Sequence, residues 1–345
     1  MKNKIILEYI WLDGYKTQNL RSKIKVIDSS MLKYDSENTI DIESIPVWNF
    51  DGSSTMQASG DDSECILKPC RIYKMIDSLI DSRLYILCEV MNTDMTPHKT
   101  NTRFKLSKNK DKGNDFWWGF EQEYFITSKN GIPVGFPADG YPEPQGEYYC
   151  GVGNKNVKLR KLATNHMYEC LYLGIDITGI NAEVAIGQWE YQCFAKDTLK
   201  ACDDLWMSRY LLYKLSEDIN VNIVLDPKPV KGNWNGSGCH TNFSDKMMRE
   251  DNNPRYYKSI LSSMRELHKD HIAVYGEDNG NRLTGEHETQ HIDKFSSGIG
   301  DRGSSIRIPI ATVKNNWNGY LEDRRPSSNC DPYLVADRII KTVCN

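Results

Sequence analysis

Apolar and polar positions divide this chain into two unequal stretches. From Lys4 to about Met91 the sequence reads as strands broken by turns, with strand-like segments at Ile5–Trp11, Ile24–Ile27 and Leu84–Val90. Ile72, Met75, Ile76, Leu79 and Ile80 recur at helical spacing and predict an amphipathic helix from about Arg71 to Ser82. Thr93–Thr102 is polar, contains Pro97, lacks apolar periodicity and reads as a linker; Lys105–Asp115 is charged and reads as an exposed loop. Beyond it strands and helices mix. Phe116–Thr127 is a predicted strand, Lys158–Leu173 a helix, Ala182–Phe194 a hairpin, Thr198–Asn220 a long helix and Val221–Leu225 a strand. Arg255–Val274 is a predicted helix, Arg307–Thr312 a short strand and Pro332–Val343 a closing helix. The order lacks a clean βαβ rhythm, which favours an α+β fold over a Rossmann sheet.

Composition narrows the class. A length of 345 residues fits two domains and a core that needs no staple. Lys plus Arg is 43 against 47 for Asp plus Glu, a net charge of −4. A dedicated nucleic-acid binder would carry a basic excess. No apolar run approaches the length of a transmembrane helix, and the apolar stretch after Met1 is too short for a signal peptide. Ten cysteines without a C-x-x-C pair then read as reduced thiols of a cytoplasmic protein.

Two motif matches fail on context. His287-Glu288-Thr289-Gln290-His291 has the H-E-x-x-H form of zinc peptidases, but its flanks make a poor buried helix. Gly298–Gly303 fits G-x-G-x-x-G without the strand before and helix after that a dinucleotide site requires. Acidic residues carry more. Glu121 and Glu123 share a face of an apolar strand, where like charges are costly unless a cation pairs with them. Oxygen ligands favour Mg²⁺ or Mn²⁺. A tight turn at Ile186-Gly187 would set Glu183 opposite Glu190, another repulsive pair that a cation relieves. The glycine-rich run Gly232–Asn242 contains His240, and Arg282, Arg302, Arg307, Arg324 and Arg325 supply forks for carboxylate or phosphate. Each feature alone also fits an ordinary strand, a structural histidine or surface charge. Together, metal-binding acids and phosphate-binding arginines suit phosphoryl transfer.

The segments Trp48–Thr55, Gly119–Tyr124, Pro144–Gly146, Tyr148–Gly153, Asn181–Glu190, Asp226–Pro229, Gly232–Ser244, Arg282–Gly285, His287–Thr289, Arg302–Pro309 and Gly319–Pro332 together resemble, in the family's order, glutamine synthetases of the type II, short-chain, eukaryotic-like class. The resemblance implies a small N-terminal β-grasp domain (1–95) and a larger α+β catalytic domain (96–345) with an antiparallel sheet and flanking helices. It implies a ligase that uses ATP to join L-glutamate and ammonia through γ-glutamyl phosphate, with two or three Mg²⁺ or Mn²⁺ ions per site. By motif position Glu123, Glu183 and Glu190 would hold the metal near glutamate, and Glu121, His240 and Glu322 the one bridging the ATP phosphates. Glutamate would be bound by Glu183, Asn235, Gly236, Arg282, Arg302 and Arg324, and ATP by Glu190, Asn242, Ser244, Arg302, Arg307 and Tyr320. Asp51, Glu288, Arg302 and Arg324 would be catalytic. Asp51 would take a proton from ammonium at a neighbouring subunit's site, and Glu288 would ride on a closing flap. A homo-oligomer of two stacked pentameric rings follows from the same likeness, with no nucleic-acid or membrane partner.

Four departures stand out. The helical leader is almost absent, Lys105–Asp115 replaces a helix, and Ile310 and Glu64 stand where the family often has Arg and Asp. A γ-glutamyl amine ligase, or a non-catalytic relative of the same fold, is the alternative reading.

Overall fold

The computed structural model describes residues 4–37, 39–74, 83–109, 112–113, 115–137 and 140–344. It divides into two compact units, Met1–Lys108 with Leu171–Gly174, and Asn109–Cys170 with Ile175–Asn345.

The first unit is a mixed five-stranded sheet of β1 (Lys4–Leu12), β2 (Leu20–Asp28), β3 (Trp48–Asp51), β4 (Glu64–Lys74) and β5 (Arg83–Met91), ordered β2-β1-β5-β4-β3. β1 runs parallel to β5 at the centre and antiparallel to β2, the pairing of a β-grasp sheet. Alternate residues of these strands (Leu7, Tyr9, Trp11; Cys65, Leu67; Leu84, Ile86, Cys88, Val90) form one buried core. The helix expected at Arg71–Ser82 is not what forms at its start. Arg71, Ile72, Tyr73 and Lys74 finish β4, paired with β5, so strand partners override helical spacing there; residues 75–82 lie outside the described ones. The loop expected at Lys105–Asp115 likewise begins as a helix, α1 (Thr102–Ser107). The Asn101 side chain caps it by accepting from Phe104 N at 2.9 Å.

The second unit is built on an eight-stranded sheet. Its strands are β6 (Trp117–Ser128), β7 (Ile177–Ala182), β8 (Gln188–Ala195), β9 (Val221–Val224), β10 (Cys239–Ser244), β11 (Ser297–Ile299), β12 (Ile306–Ile308) and β13 (Leu321–Asp323). They run in the order β11-β12-β13-β10-β6-β8-β7, with β9 on the end of β6. The helices are α2 (Arg160–Tyr172), α3 (Thr198–Glu217), α4 (Lys246–Glu250), α5 (Pro254–Glu266), α6 (His268–Ile272), α7 (Ile310–Lys314) and α8 (Pro332–Val343). None of the described helices is long and apolar enough to cross a membrane.

One face of this sheet is closed by α3, almost wholly buried, whose N-cap Asp197 accepts from Lys200 N at 2.6 Å. Trp118, Phe120, Gln122 and Tyr124 point to that side, as do Trp189, Tyr191 and Cys193. Arg209 of α3 donates through Nε (2.9 Å) and Nη2 (2.7 Å) to Gln122 Oε1, so the fully buried amide and guanidinium satisfy each other. The opposite face holds the odd residues of β6 and the even residues of β8, β10 and β13.

Three boundaries differ from the pattern. The helix expected over Arg255–Val274 is two, split at Leu267. The strand expected over Arg307–Thr312 stops at Ile308, because Pro309 opens α7. A three-residue strand forms at Ser297–Ile299, but it overlaps the start of the G-x-G-x-x-G match instead of leading into it, and an extended segment follows, as expected.

Candidate active site

Register assembles the site. On the open face β10 sets His240 opposite Glu121 and Asn242 opposite Gly119 of β6. β8 sets Glu190 opposite Glu123 and Gln192 opposite Glu121. β13 brings Glu322 opposite Asn242, and β12 brings Arg307 opposite Glu322. Paired residues share a face, so five strands deliver one polar row. The hairpin carrying Glu183 and Glu190 differs from expectation. β7 ends at Ala182, residues 183–187 form the turn, and Glu190 pairs with Asn181. Glu183 therefore sits in the turn, where Asn181 Nδ2 (2.8 Å) and Val184 N (3.0 Å) donate to its carboxylate. Gly187 closes that turn at φ 82°; a Cβ there would lie 2.6 Å from the Val134 carbonyl oxygen.

Above the row lies a cavity of about 570 Å³. Glu121, Glu123, Glu183, Glu190, Glu322 and His240 line it, facing Arg282, Arg302, Arg307 and Arg324, with Asn235, Gly236 and Glu288 completing the wall. Burial pushes Glu123 up to about 8, with Glu183 adding to the shift, and Glu190 up to about 10, with Glu123 adding to it; burial lifts Glu183 to about 7. The His240 ring is driven well down by burial and by the Arg324 charge, which keeps it neutral and able to ligate. Glu322 is instead satisfied by Arg307 (2.8 Å) and Arg324 (2.6 Å). Arg282 spends Nη2 on the carbonyls of Arg324, Arg325 and Pro326 at 2.9–3.0 Å, which fixes its guanidinium on the strand end.

The donor set suits a divalent cation. Ligand atoms of Glu121, Glu190 and His240 lie within 4.8 Å of one another, a triple that straddles the two ligand groups expected from the motifs. Two carboxylates, of which Glu190 is buried with its pKa raised, and a neutral imidazole are a mixed O/N set of the kind that Mg²⁺ or Mn²⁺ relieves. Asn242 Oδ1, Arg307 Nε and Arg324 Nε are buried with no hydrogen-bond partner among the described residues.

Asn242, Ser244 and Tyr320 line a second cavity of about 530 Å³, more apolar in its walls, which shares Glu121 and Gln192 with the first. Its shelf is Trp117, with the Arg249 guanidinium 4.2 Å from the ring centroid; Arg249 Nη1 also donates to the Ser244 carbonyl at 2.7 Å. Trp117 and Gln192 were not singled out from the sequence, although both follow by parity, two or four residues from Glu190 and Glu121 on the same strand faces. Arg249 carries no local signal, because α4 delivers it through tertiary packing.

Glu288 and His287 have left-handed backbones (φ 60° and 53°), so the H-E-x-x-H segment is a loop rather than a zinc-binding helix. Arg324 Nη2 reaches the Glu288 carbonyl at 3.4 Å. Asp51 belongs to the first unit. It ends β3 and accepts from Ser53 Oγ (2.6 Å) and Ser54 Oγ (2.7 Å), donors that hold its exposed carboxyl down at about 2. Glu64 lies directly across from it on β4 and accepts from Asn49 Nδ2 at 2.9 Å.

The family model "Glutamine synthetase, catalytic domain" matches residues 98–273. A glutamine synthetase of Yarrowia lipolytica is 46% identical over 99% of this chain and 91% of its own length. One from Bradyrhizobium diazoefficiens is 47% identical over 99% and 96%, and that of Saccharomyces cerevisiae 44% over 99% and 90%. A cryo-EM structure of Plasmodium falciparum glutamine synthetase shares the fold at a TM-score of 0.78, covering 99% of this chain and 72% of that one at 17% identity. Its sheet, its row of acids and nearly half of its residues shared with these relatives place the chain in the glutamine synthetase family of glutamate–ammonia ligases.

Proposed function

We propose that the two adjoining cavities bind ATP and L-glutamate end to end and make L-glutamine through γ-glutamyl phosphate. The observation that carries this reading is the cavity itself, with acids on its sheet floor, four arginines on its wall and an aromatic shelf next door.

A carboxylate is a poor electrophile, and phosphorylation gives it a leaving group that ammonia displaces. The nucleoside would lie on Trp117 with Ser244, Asn242 and Tyr320 around it, so its phosphates cross Glu121 toward Arg307 and Arg302. Those guanidiniums meet the charge on the transferring phosphoryl group. Arg324 and Arg282 would hold the glutamate and acyl-phosphate oxygens, and the Asn235-Gly236 backbone the amino-acid end. Glu121, Glu190 and His240, with Glu123, Glu183 and Glu322 beside them, would hold divalent cations, which neutralise phosphate charge. The Glu288 loop would exclude water that otherwise hydrolyses the acyl phosphate. Asp51, ionised at neutral pH, would attract ammonium and accept its proton. In this reading it serves the site of a neighbouring subunit, in an assembly of two pentameric rings in the cytoplasm.

The test is direct. The purified protein, given ATP, Mg²⁺ or Mn²⁺, glutamate and ammonium, forms glutamine and phosphate in equal amounts, and Glu190→Ala removes both. Absence of glutamine under every metal condition would overturn the proposal.

A further inference from the structure

Behind the cavity a buried polar chain runs from the site strand to the base of the Glu288 loop. Side chains alternate from β13 into the two residues that follow it. Glu322 and Arg324 face the cavity, and Asp323 and Arg325 face the other way. The second pair is fully buried and bidentate, Arg325 Nε and Nη2 donating to Asp323 Oδ1 (2.9 Å) and Oδ2 (2.7 Å). Tyr275 donates its hydroxyl proton to Asp323 Oδ2 at 2.6 Å and so accepts from His271 Nδ1 at 2.5 Å. Arg325 has one more donor, Nη1, 3.0 Å from His268 Nδ1. A guanidinium cannot accept, so Nδ1 is the acceptor and the His268 proton sits on Nε2. Nε2 then donates to the Ile292 carbonyl at 2.7 Å. Burial and the Arg325 charge lower the His268 pKa, consistent with a neutral ring.

Ile292 N in turn donates to the Leu283 carbonyl at 2.9 Å and closes a loop, residues 283–292, that presents His287, Glu288 and Thr289 to the cavity. Neighbouring arginines thus grip this loop from opposite sides of one strand, Arg324 directly at the Glu288 carbonyl and Arg325 through His268 at the loop base.

We infer that His268 is a positioning residue that ties the base of the Glu288 loop to the Asp323–Arg325 pair, so that the loop and the site strand are set as one body. It touches no substrate and acts only through Ile292. Its catalytic consequence rests on the proposed ligase reaction; the tether itself does not.

The test uses His268→Leu, which removes both hydrogen bonds, and His268→Gln, whose amide can accept from Arg325 and donate to Ile292. Amide hydrogen exchange across 283–292 in the full-length protein should be ~10-fold faster in the leucine variant, the factor expected for the one buried hydrogen bond that the loop itself loses, at the Ile292 carbonyl, with β6 and α3 unchanged. The glutamine variant should return toward wild type. In the ligase assay the leucine variant should hydrolyse more ATP per glutamine formed, because a looser loop admits water. Unchanged exchange in the leucine variant, or equal loss of protection throughout the second unit in both variants, would overturn the tether. If the leucine variant does not fold, the glutamine variant and His268→Asn decide by the same exchange reading. If the wild type makes no glutamine, the ligase reading fails while the exchange result still judges the tether.

Discussion

At the scale of single residues the site is governed by carboxylates that burial holds protonated. Glu123 at about 8 and Glu190 at about 10 carry protons at neutral pH when no cation is present, and a ligating carboxylate must lose its proton. Binding of Mg²⁺ or Mn²⁺ near pH 7 should therefore release protons. Titration calorimetry in buffers of different ionisation enthalpy reads this as a buffer-dependent heat of binding; Glu190→Gln should reduce it. Glu123 and Glu190, together with Glu183 at about 7, also fix a pH dependence of stability. Their folded pKa values lie above the ordinary value of 4.5, so the folded protein holds protons that the unfolded chain releases. The stability they lend is complete below that value and is lost as pH rises through about 7, 8 and 10. The Tm of metal-free protein should accordingly fall between about pH 5 and pH 9, and saturating Mg²⁺ should flatten the fall. A Tm that rises over that interval would contradict the assignment.

At the scale of elements the decisive piece is the turn between β7 and β8. Gly187→Ala forces a left-handed residue against the Val134 carbonyl. It should destabilise the fold by ~1–3 kcal/mol in urea unfolding and weaken Mg²⁺ binding, because Glu183, at the other end of the same turn, is held by its N–H to the carbonyl of Gln188, the residue next to the displaced one. How much was legible in the sequence follows the same divide between local and non-local causes. Glu121 and Glu123 share a face because of strand parity, which needs no partner to be read. The hairpin register was not legible, since the turn length depends on the Val134 contact and on β6, distant in sequence. Ile72 kept helical spacing yet joined β4, where β5 supplied a partner that the pattern cannot contain. Pro309 did carry its own signal, a break before α7, and reading the strand through it ignored that signal.

At the scale of the whole molecule, identity lay in the order of many weak motifs, none sufficient alone. The catalytic reading also makes Asp51 a residue lent between subunits. Asp51→Ala and Glu190→Ala should each be inactive. Unfolded together and reassembled, they should regain about a quarter of wild-type activity, the share of sites that combine an intact Glu190 with a neighbour's intact Asp51. No recovery would place Asp51 in its own subunit's site or outside catalysis. The polar row across β12, β13, β10, β6 and β8 has one further consequence, for how this sequence can change over generations. Every ligand owes its direction to register, so losing a single codon within Trp117–Ser128 would turn the positions of Glu121 and Glu123 toward α3 and put aromatic rings over the cavity. Substitutions can be sampled one at a time along these strands, whereas insertions and deletions cannot. Length variation among descendants of this gene should therefore gather in the connecting loops, such as the residues between β6 and α2, and leave the five strands of fixed length.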